Sequence, residues 1–250
     1  MTLQSYLKSR IQRSLFRRGY ALTHVDQAEL GVNPFSDMKA LGQAGSSPIV
    51  FDVGANRGQS VEKFRGYFAS PVVHAFEPGE AAFRDLERNL AGLPDVHLNP
   101  IGLGSRPERK VFVENDHSDM SSFLEPDQDA WGSVTSRREL SIDTIDAVCA
   151  RNAIAHIDIL KTDTQGFDLE VFRGAQEMFG GHRIHLVYTE IIFSRMYKDL
   201  PRFDEIYGFL ADRGLTLVSI YSMHYQNRRA GWSDALFIDP QYQNPRVQSG

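Results

Sequence analysis

The sequence predicts an α/β fold in which a mostly parallel sheet of seven strands has helices on both faces. Short apolar runs alternate with segments of helical periodicity along most of the chain, as is typical of strand–helix–strand units. The chain has 250 residues and 42% hydrophobic content, which suffices to bury the core of one large domain. We therefore predict a central domain over residues 41–240, an N-terminal helical extension over 1–40 and a flexible tail over 241–250.

The first half of this domain alternates strictly between strands and helices. An apolar strand at 49–53 precedes a helix that carries Val61, Phe64 and Phe68 at helical spacing and ends before Pro71. The next predicted elements are a strand at 72–76, a helix at 80–90 and a strand at 96–101. Residues 109–114 follow as an extended excursion, and 115–139 are predicted as a polar loop.

The second half continues the alternation and ends in two antiparallel strands. We predict strands at 156–161 and 183–189, separated by a helix over 168–179 that stops at Gly180-Gly181. A helix at 203–210 is followed by strands at 215–221 and 235–238, and residues 225–232 between them are long enough for a hairpin that covers a site.

A glycine turn joins the first strand to the first helix and predicts a nucleotide-cofactor site. Gly54 and Gly58 allow the backbone to bend and to approach a ligand, towards which the following helix directs its N-terminal amides. The spacing is Gly-x-Asn-x-Gly, so Asn56 stands where a dinucleotide-binding turn needs a second glycine to admit a pyrophosphate. The turn therefore favours a ligand without phosphates, such as S-adenosylmethionine (SAM), over NAD.

Acidic residues at strand ends extend this site, because ligands of parallel sheets bind at the carboxyl edge. Glu77 ends the second strand about 20 residues after the glycine turn, the separation at which an acid binds ribose hydroxyls. Asp163 follows the fourth strand, where it could hold the methionine ammonium, orient a hydroxyl, bind a cation or cap the next helix. Glu190 follows the fifth strand and could face the acceptor pocket or solvent. The candidate catalytic bases are therefore Asp163, Glu190 and His224, the last of which can titrate near neutral pH.

These motifs resemble the FkbM family of SAM-dependent methyltransferases over about residues 49–239. The resemblance rests on Phe51-Asp52-Val53-Gly54-Ala55-Asn56-Arg57-Gly58, Ala75-Phe76-Glu77-Pro78, the run Leu160 to Ala175, and Tyr188-Thr189-Glu190. In the run Leu160 to Ala175, family members commonly have Lys-x-Asp-x-Glu-Gly, and this chain has Gln165 in place of the glutamate.

The resemblance implies a Rossmann-like seven-stranded methyltransferase fold and O-methylation of a hydroxyl on a sugar, a glycoconjugate or a secondary metabolite. It implies a SAM site that includes Asp52, Gly54, Ala55, Asn56, Gly58, Glu77, Pro78, Gly102, Leu103, Ser121, Ser122 and Asp163. The catalytic candidates are Asp163, Glu190 and His224. A further hypothesis is that Asp163 and Glu190 hold Mg²⁺, since carboxylate oxygens are the ligands that this ion prefers.

Alternative functions are an N-methyltransferase, a non-catalytic SAM-binding or scaffold protein, and a nicotinamide dehydrogenase. The fourth strand lacks the Asn/Asp-Pro-Pro-aromatic ending typical of base N-methylation, and the glycine spacing disfavours NAD. The expected partner is a small-molecule or glycan hydroxyl acceptor. Nucleic acid is not expected, because the net charge is −5 and nucleic-acid-binding proteins normally carry a basic face.

Composition also sets expectations for localisation. One cysteine, Cys149, excludes an intrachain disulfide and fits a reducing cytoplasm, and no apolar run is long enough to span a membrane. Residues 1–20 carry apolar residues at helical spacing beside several basic ones. This pattern predicts a helix that packs on the domain or on a homodimer partner, or that contacts an acidic membrane surface peripherally.

Overall fold

The computed structural model describes residues 30–45 and 47–244. Its helices are α1 (Pro34–Leu41), α2 (Gln59–Tyr67), α3 (Glu80–Leu90), α4 (Ile145–Arg151), α5 (Asp168–Arg173), α6 (Gln176–Gly180) and α7 (Phe203–Ala211). Its strands are β1 (Ile49–Val53), β2 (Val72–Phe76), β3 (Val96–Asn99), β4 (Gly102–Leu103), β5 (Glu108–Asn115), β6 (Val134–Asp143), β7 (Ile157–Thr162), β8 (Ile184–Ile192), β9 (Thr216–Ile220), β10 (His224–Gln226) and β11 (Arg229–Ile238).

The main sheet has eight strands, and its middle part is parallel. The order is β10-β11-β8-β7-β1-β2-β3, with β9 also paired to β11. Strands β3, β2, β1, β7 and β8 run parallel, whereas β11 is antiparallel to each of its neighbours. This confirms the predicted fold class, and the strand beyond the predicted seven is the short β10 of the hairpin.

Helices cover both faces of the sheet because side chains of each strand alternate between them. In β1, Val50 packs with the buried residues of α1, α2 and α3, whereas Phe51 packs with α4, α5, α6 and α7. Successive elements switch from one face to the other at β1, since its neighbours in the sheet are β2 and β7. This switch point leaves a crevice at the carboxyl ends of β1 and β7.

A small three-stranded sheet of β4, β5 and β6 stands beside the main sheet. It corrects the prediction of a polar loop over 115–139, because β6 begins at Val134 and pairs antiparallel with β5. Most side chains of β6 are exposed or half-buried, so the strand carries no apolar alternation that sequence analysis could detect. Residues 118–120 form one turn of 3₁₀ helix.

Three further elements differ from the prediction. Helix α4 was not predicted, and the helix expected over 168–179 is divided into α5 and α6 at Gly174. A Cβ on Gly174 would lie 2.0 Å from the carbonyl oxygen of Gly104, so the close approach of that backbone accounts for the break. Strand β8 continues to Ile192, which places Glu190 inside a strand instead of at its end.

The ends of the described chain pack on the sheet. Phe35 and Met38 of α1 are buried against α2, although the prediction assigned residues up to 40 to an extension. Tyr242 and Asn244 are buried and both donate hydrogen bonds to Asp158 Oδ1, over 2.7 and 3.1 Å, although the predicted flexible tail begins at 241. The predicted basic helix over 1–20 lies outside the described residues. Within those described, no helix is long and apolar enough to cross a membrane.

Candidate active site

A cleft opens at the carboxyl ends of β1, β2 and β7, beside the switch point of the sheet. It holds about 610 Å³ of space not filled by protein atoms, part of it open to solvent. The small sheet and the 3₁₀ turn form its outer wall. The lining residues are Val53, Gly54, Asn56, Phe76, Glu77, Pro78, Ile101, Gly102, Leu103, Phe112, Ser118, Asp119, Ser121, Phe123, Asp163, Thr164, Gln165 and Phe167.

The glycine turn brings the end of β1 against the end of β7. Gly54 has φ +79°, and a Cβ there would lie 2.0 Å from the Asp163 carbonyl oxygen. Gly58 precedes α2 with φ +93°, and its Cβ would crowd Leu86 and Leu90 at 3.0–3.2 Å. Both positions therefore need glycine for backbone conformation and close packing. Gly54 lines the cleft, whereas Gly58 and the buried Ala55 do not.

Asn56 occupies the bend between the two glycines and faces the cleft. Its φ of +47° is uncommon for a residue other than glycine, although asparagine tolerates it. Its backbone N–H donates to Glu77 Oε2 over 3.0 Å. Its side-chain Oδ1 is buried and has no hydrogen-bond partner among the described residues. A buried acceptor of this kind normally finds a donor, so it points to a ligand in the cleft.

Glu77 lies at the end of β2 and is 7% exposed. Its Oε2 accepts the Asn56 bond, and its Oε1 accepts a hydrogen bond from the Gly79 backbone N–H over 2.7 Å. Burial raises the pKa of Glu77 to about 7, although the two backbone N–H groups and Lys161 favour the charged form. Each carboxylate oxygen keeps a lone pair beyond its backbone bond, so Glu77 can accept hydrogen bonds from hydroxyls. Pro78 follows it in the cleft wall.

Asp52 and Lys161 form a buried ion pair beneath the cleft. The Lys161 Nζ lies 3.0 Å from Asp52 Oδ1 and 3.6 Å from Asp163 Oδ2, and it donates to the Gly54 carbonyl oxygen over 3.1 Å. Burial lowers the pKa of Lys161, but Asp52 and Asp163 outweigh this and raise it above its usual value. Asp52 is fully buried and does not line the cleft. This geometry argues against direct contact between Asp52 and a cofactor. The carboxylate of Asp52 instead fixes the position of Lys161.

The outer wall contains the softer sequence assignments. Gly102, Leu103 and Ser121 line the cleft. Ser122 is 1% exposed and does not; its hydroxyl donates to the Gln165 carbonyl oxygen over 2.8 Å. Ser122 therefore ties the wall to the segment after β7 and does not border the cavity.

At one end of the cleft, a polar network joins the segment after β7 to β8. The Gln165 Nε2 donates to Asp163 Oδ1 and to Glu190 Oε2, each over 3.0 Å, and the Tyr197 hydroxyl donates to Gln165 Oε1 over 3.0 Å. Burial raises the pKa of Glu190 well above its usual value, and the charges of Asp163 and other nearby aspartates add to this. Sequence analysis identified both acids but missed Gln165 as a member of the site. The signal for Gln165 was its departure from the family motif.

The structure does not bring His224 into this network. His224 is exposed at the start of β10, and its ring stacks on Trp232 with centroids 5.0 Å apart. It is not part of the cleft lining. This candidate base therefore lies at the surface, outside the cleft.

The Mg²⁺ hypothesis for Asp163 and Glu190 is not supported either. Across residues 30–45 and 47–244, no group of three or more His, Cys, Asp or Glu side chains has an arrangement that could hold a metal ion. The amide nitrogen of Gln165 lies between the two carboxylates instead.

The strand order, the antiparallel β11 and the acid at the end of β2 beside a glycine turn define a methyltransferase-type α/β protein. The particular family is given by sequence: the chain belongs to the FkbM methyltransferases, since the model of the methyltransferase FkbM domain matches residues 52–216. This confirms the resemblance from the motifs. No curated protein is significantly similar to the chain.

Solved structures resemble the fold at low sequence identity. An rRNA methylase from Streptococcus thermophilus is 12% identical, with 82% of this chain and 92% of that chain covered and a TM-score of 0.46. Fibrillarin from Aeropyrum pernix with bound SAM is 11% identical, with coverages of 77% and 66% and a TM-score of 0.44. Magnesium protoporphyrin IX methyltransferase from Synechocystis PCC 6803 with bound SAM is 11% identical, with coverages of 95% and 97% and a TM-score of 0.44.

Proposed function

We propose that this protein is a SAM-dependent O-methyltransferase that acts on a hydroxyl of a sugar, a glycoconjugate or a secondary metabolite. The observation that carries the cofactor assignment is the pair of acceptors at the bend of the cleft. The buried Glu77 carboxylate and the Asn56 side chain both line the cleft, and Asn56 Oδ1 has no hydrogen-bond partner among the described residues. Ribose hydroxyls are donors that suit both groups.

The remaining lining suits the other parts of SAM. Leu103, Phe123 and Phe167 supply an apolar surface for the adenine. Gly102 has no side chain beside this surface, where a Cβ would lie 2.6 Å from the Phe123 ring. Asp163 also lines the cleft, and its backbone packs against Gly54 of the glycine turn. Its carboxylate is the group that we assign to the methionine ammonium or to the acceptor hydroxyl.

When bound, SAM supplies an electrophilic methyl group. The chain's own contribution is to hold an acceptor hydroxyl in line with that methyl, since positioning two reactants accounts for much of the rate in such reactions. An alcohol also has to lose its proton as its oxygen forms the new bond. Asp163, whose side chain is 42% exposed, accepts that proton, with Glu190 as the second carboxylate of the same network.

The first test is calorimetric titration with SAM, S-adenosylhomocysteine and NAD⁺ in parallel. We expect binding of the first two and not of NAD⁺. Glu77→Ala should lose at least tenfold in SAM affinity, whereas Glu80→Ala should not, because the Glu80 side chain is 56% exposed on α3. Binding of NAD⁺ alone, or wild-type SAM affinity in Glu77→Ala, would overturn the cofactor assignment.

The second test concerns the reaction. The protein is incubated with SAM and panels of sugars, glycolipids, hydroxylated metabolites, amines and RNA, and S-adenosylhomocysteine release is measured by mass spectrometry. Product on a hydroxylated acceptor supports the proposal. Product on an amine or on RNA alone would replace it with N- or nucleic-acid methylation, and SAM binding with no product on any panel would favour a non-catalytic binding protein.

A further inference from the structure

Hydrogen bonds fix Gln165 at both polar atoms of its side-chain amide and at its backbone carbonyl oxygen. Its carbonyl oxygen accepts from the Ser122 hydroxyl over 2.8 Å, and its Oε1 accepts from the Tyr197 hydroxyl over 3.0 Å. Its Nε2 donates one bond to Asp163 and one to Glu190. Ser122 and Tyr197 are both buried, so these contacts hold the residue from the outer wall and from the loop after β8.

The backbone at this position is also unusual. Gln165 has φ +54°, in the left-handed region that residues other than glycine and asparagine seldom adopt. Gly166 follows with φ +88°, and a Cβ there would lie 2.5 Å from Leu200 Cδ1. Such a conformation is strained for glutamine and persists only where surrounding contacts fix it. With this backbone conformation, the neutral side-chain amide of Gln165 lies between the Asp163 and Glu190 carboxylates.

The orientation of that amide follows from its partners. Asp163 and Glu190 accept hydrogen bonds when ionised, whereas the Tyr197 hydroxyl can donate one. A flipped amide would place Oε1 against two carboxylate oxygens, with which it forms no hydrogen bond when both acids are ionised. The nitrogen therefore belongs between the acids, with one N–H for each.

Two carboxylates that converge on one point ordinarily share a proton or bind a cation, because their charges repel. We propose that Gln165 is the positioning residue of the transfer site, and that its NH₂ group takes the place between Asp163 and Glu190 that a divalent cation would otherwise occupy. This inference rests on the proposed function for the role of Asp163. It follows that Asp163 is oriented as proton acceptor without a metal ion.

The proposal identifies what should happen when the amide becomes a carboxylate. Gln165→Glu removes both N–H donors and brings a third acid to the point where Asp163 and Glu190 converge. Three carboxylates supply the oxygen donors that Mg²⁺ and Ca²⁺ prefer. Gln165→Met has similar size and also lacks the N–H donors, but it adds no oxygen, so it controls for the loss of hydrogen bonds alone.

The experiment is calorimetric titration of the full-length chain with Mg²⁺ and with Ca²⁺, in the absence of SAM, together with thermal unfolding at each cation concentration. We expect Gln165→Glu to bind at least one of the two cations at least tenfold more tightly than the wild type. We also expect its Tm to rise with that cation, even if the variant is destabilised. The gain should disappear in Gln165→Glu/Asp163→Asn, and Gln165→Met should behave as the wild type.

Two results would overturn the proposal. One is cation binding by the wild-type protein that Asp163→Asn abolishes, since the amide would then not occupy the place of the cation. The other is a Gln165→Glu variant whose cation affinity and Tm response equal those of the wild type. Neither measurement requires SAM or an acceptor, so failure here is distinguishable from failure of the SAM titration that tests the proposed function.

Discussion

Glu77→Gln tests the electrostatic cost of the acid at the end of β2. The side chain is 7% exposed, and burial raises its pKa from 4.5 to about 7. The folded state therefore holds the proton more tightly than the unfolded state, and the wild type loses stability as the pH rises from about 4.5 to about 7. Glutamine does not titrate, so the variant lacks this loss.

The expected size of the effect follows from the two pKa values. Between pH 5 and pH 8 this single group contributes a loss of about 2–3 kcal/mol in the free energy of unfolding of the wild type. Glutamine has one acceptor oxygen for the two backbone N–H groups that Glu77 serves. The variant should therefore also carry a pH-independent cost of about 1–3 kcal/mol from the donor left without a partner.

Urea unfolding at pH 5 and pH 8 separates the two contributions, because only the titrating part changes with pH. The stability of Glu77→Gln relative to the wild type should rise by about 2–3 kcal/mol from pH 5 to pH 8, with unchanged m-values. Glu80→Gln is the matched control, since Glu80 is exposed in the neighbouring helix. Parallel pH profiles for the wild type and Glu77→Gln would refute the argument that burial controls this carboxyl group.

Three other substitutions test the supporting structure. Gly54→Ala should destabilise the fold by more than about 3 kcal/mol in urea unfolding, because its Cβ would overlap the Asp163 backbone carbonyl. Gly45→Ala is the control and should cost about 1 kcal/mol, because a Cβ there meets no atom within 4 Å. Equal costs for the two variants would contradict the argument from this contact. Tyr242→Phe should lower the Tm by removing the bond to buried Asp158, at about 1–2 kcal/mol, and an unchanged Tm would show that residue 242 does not anchor the chain end. Lys161→Met should cost about 3–5 kcal/mol, because the buried Asp52 of β1 loses its cation. A variant as stable as the wild type would contradict the importance of this ion pair.

Local patterns predicted the elements whose apolar residues follow strand or helix spacing between turn residues. β1, β2 and α3 begin and end where their apolar spacing and turn residues predict. β6 was missed because its side chains are mostly exposed and polar, so pairing with β5 is what makes it a strand. The division at Gly174 was missed for a related reason, since it depends on the backbone of Gly104, which is distant in sequence.

Residue types and their spacing were enough to predict the fold class, the glycine turn and the acids that follow β2 and β7. These features depend on residue types at short spacing, which the chain carries whatever surrounds it. The contacts of each polar group, in contrast, depend on how the chain folds in three dimensions. In the folded chain, Asp52 is buried against Lys161 and His224 lies at the surface. The Gln165 amide lies between Asp163 and Glu190. These outcomes depend on distances and solvent access between distant segments, which local spacing does not encode.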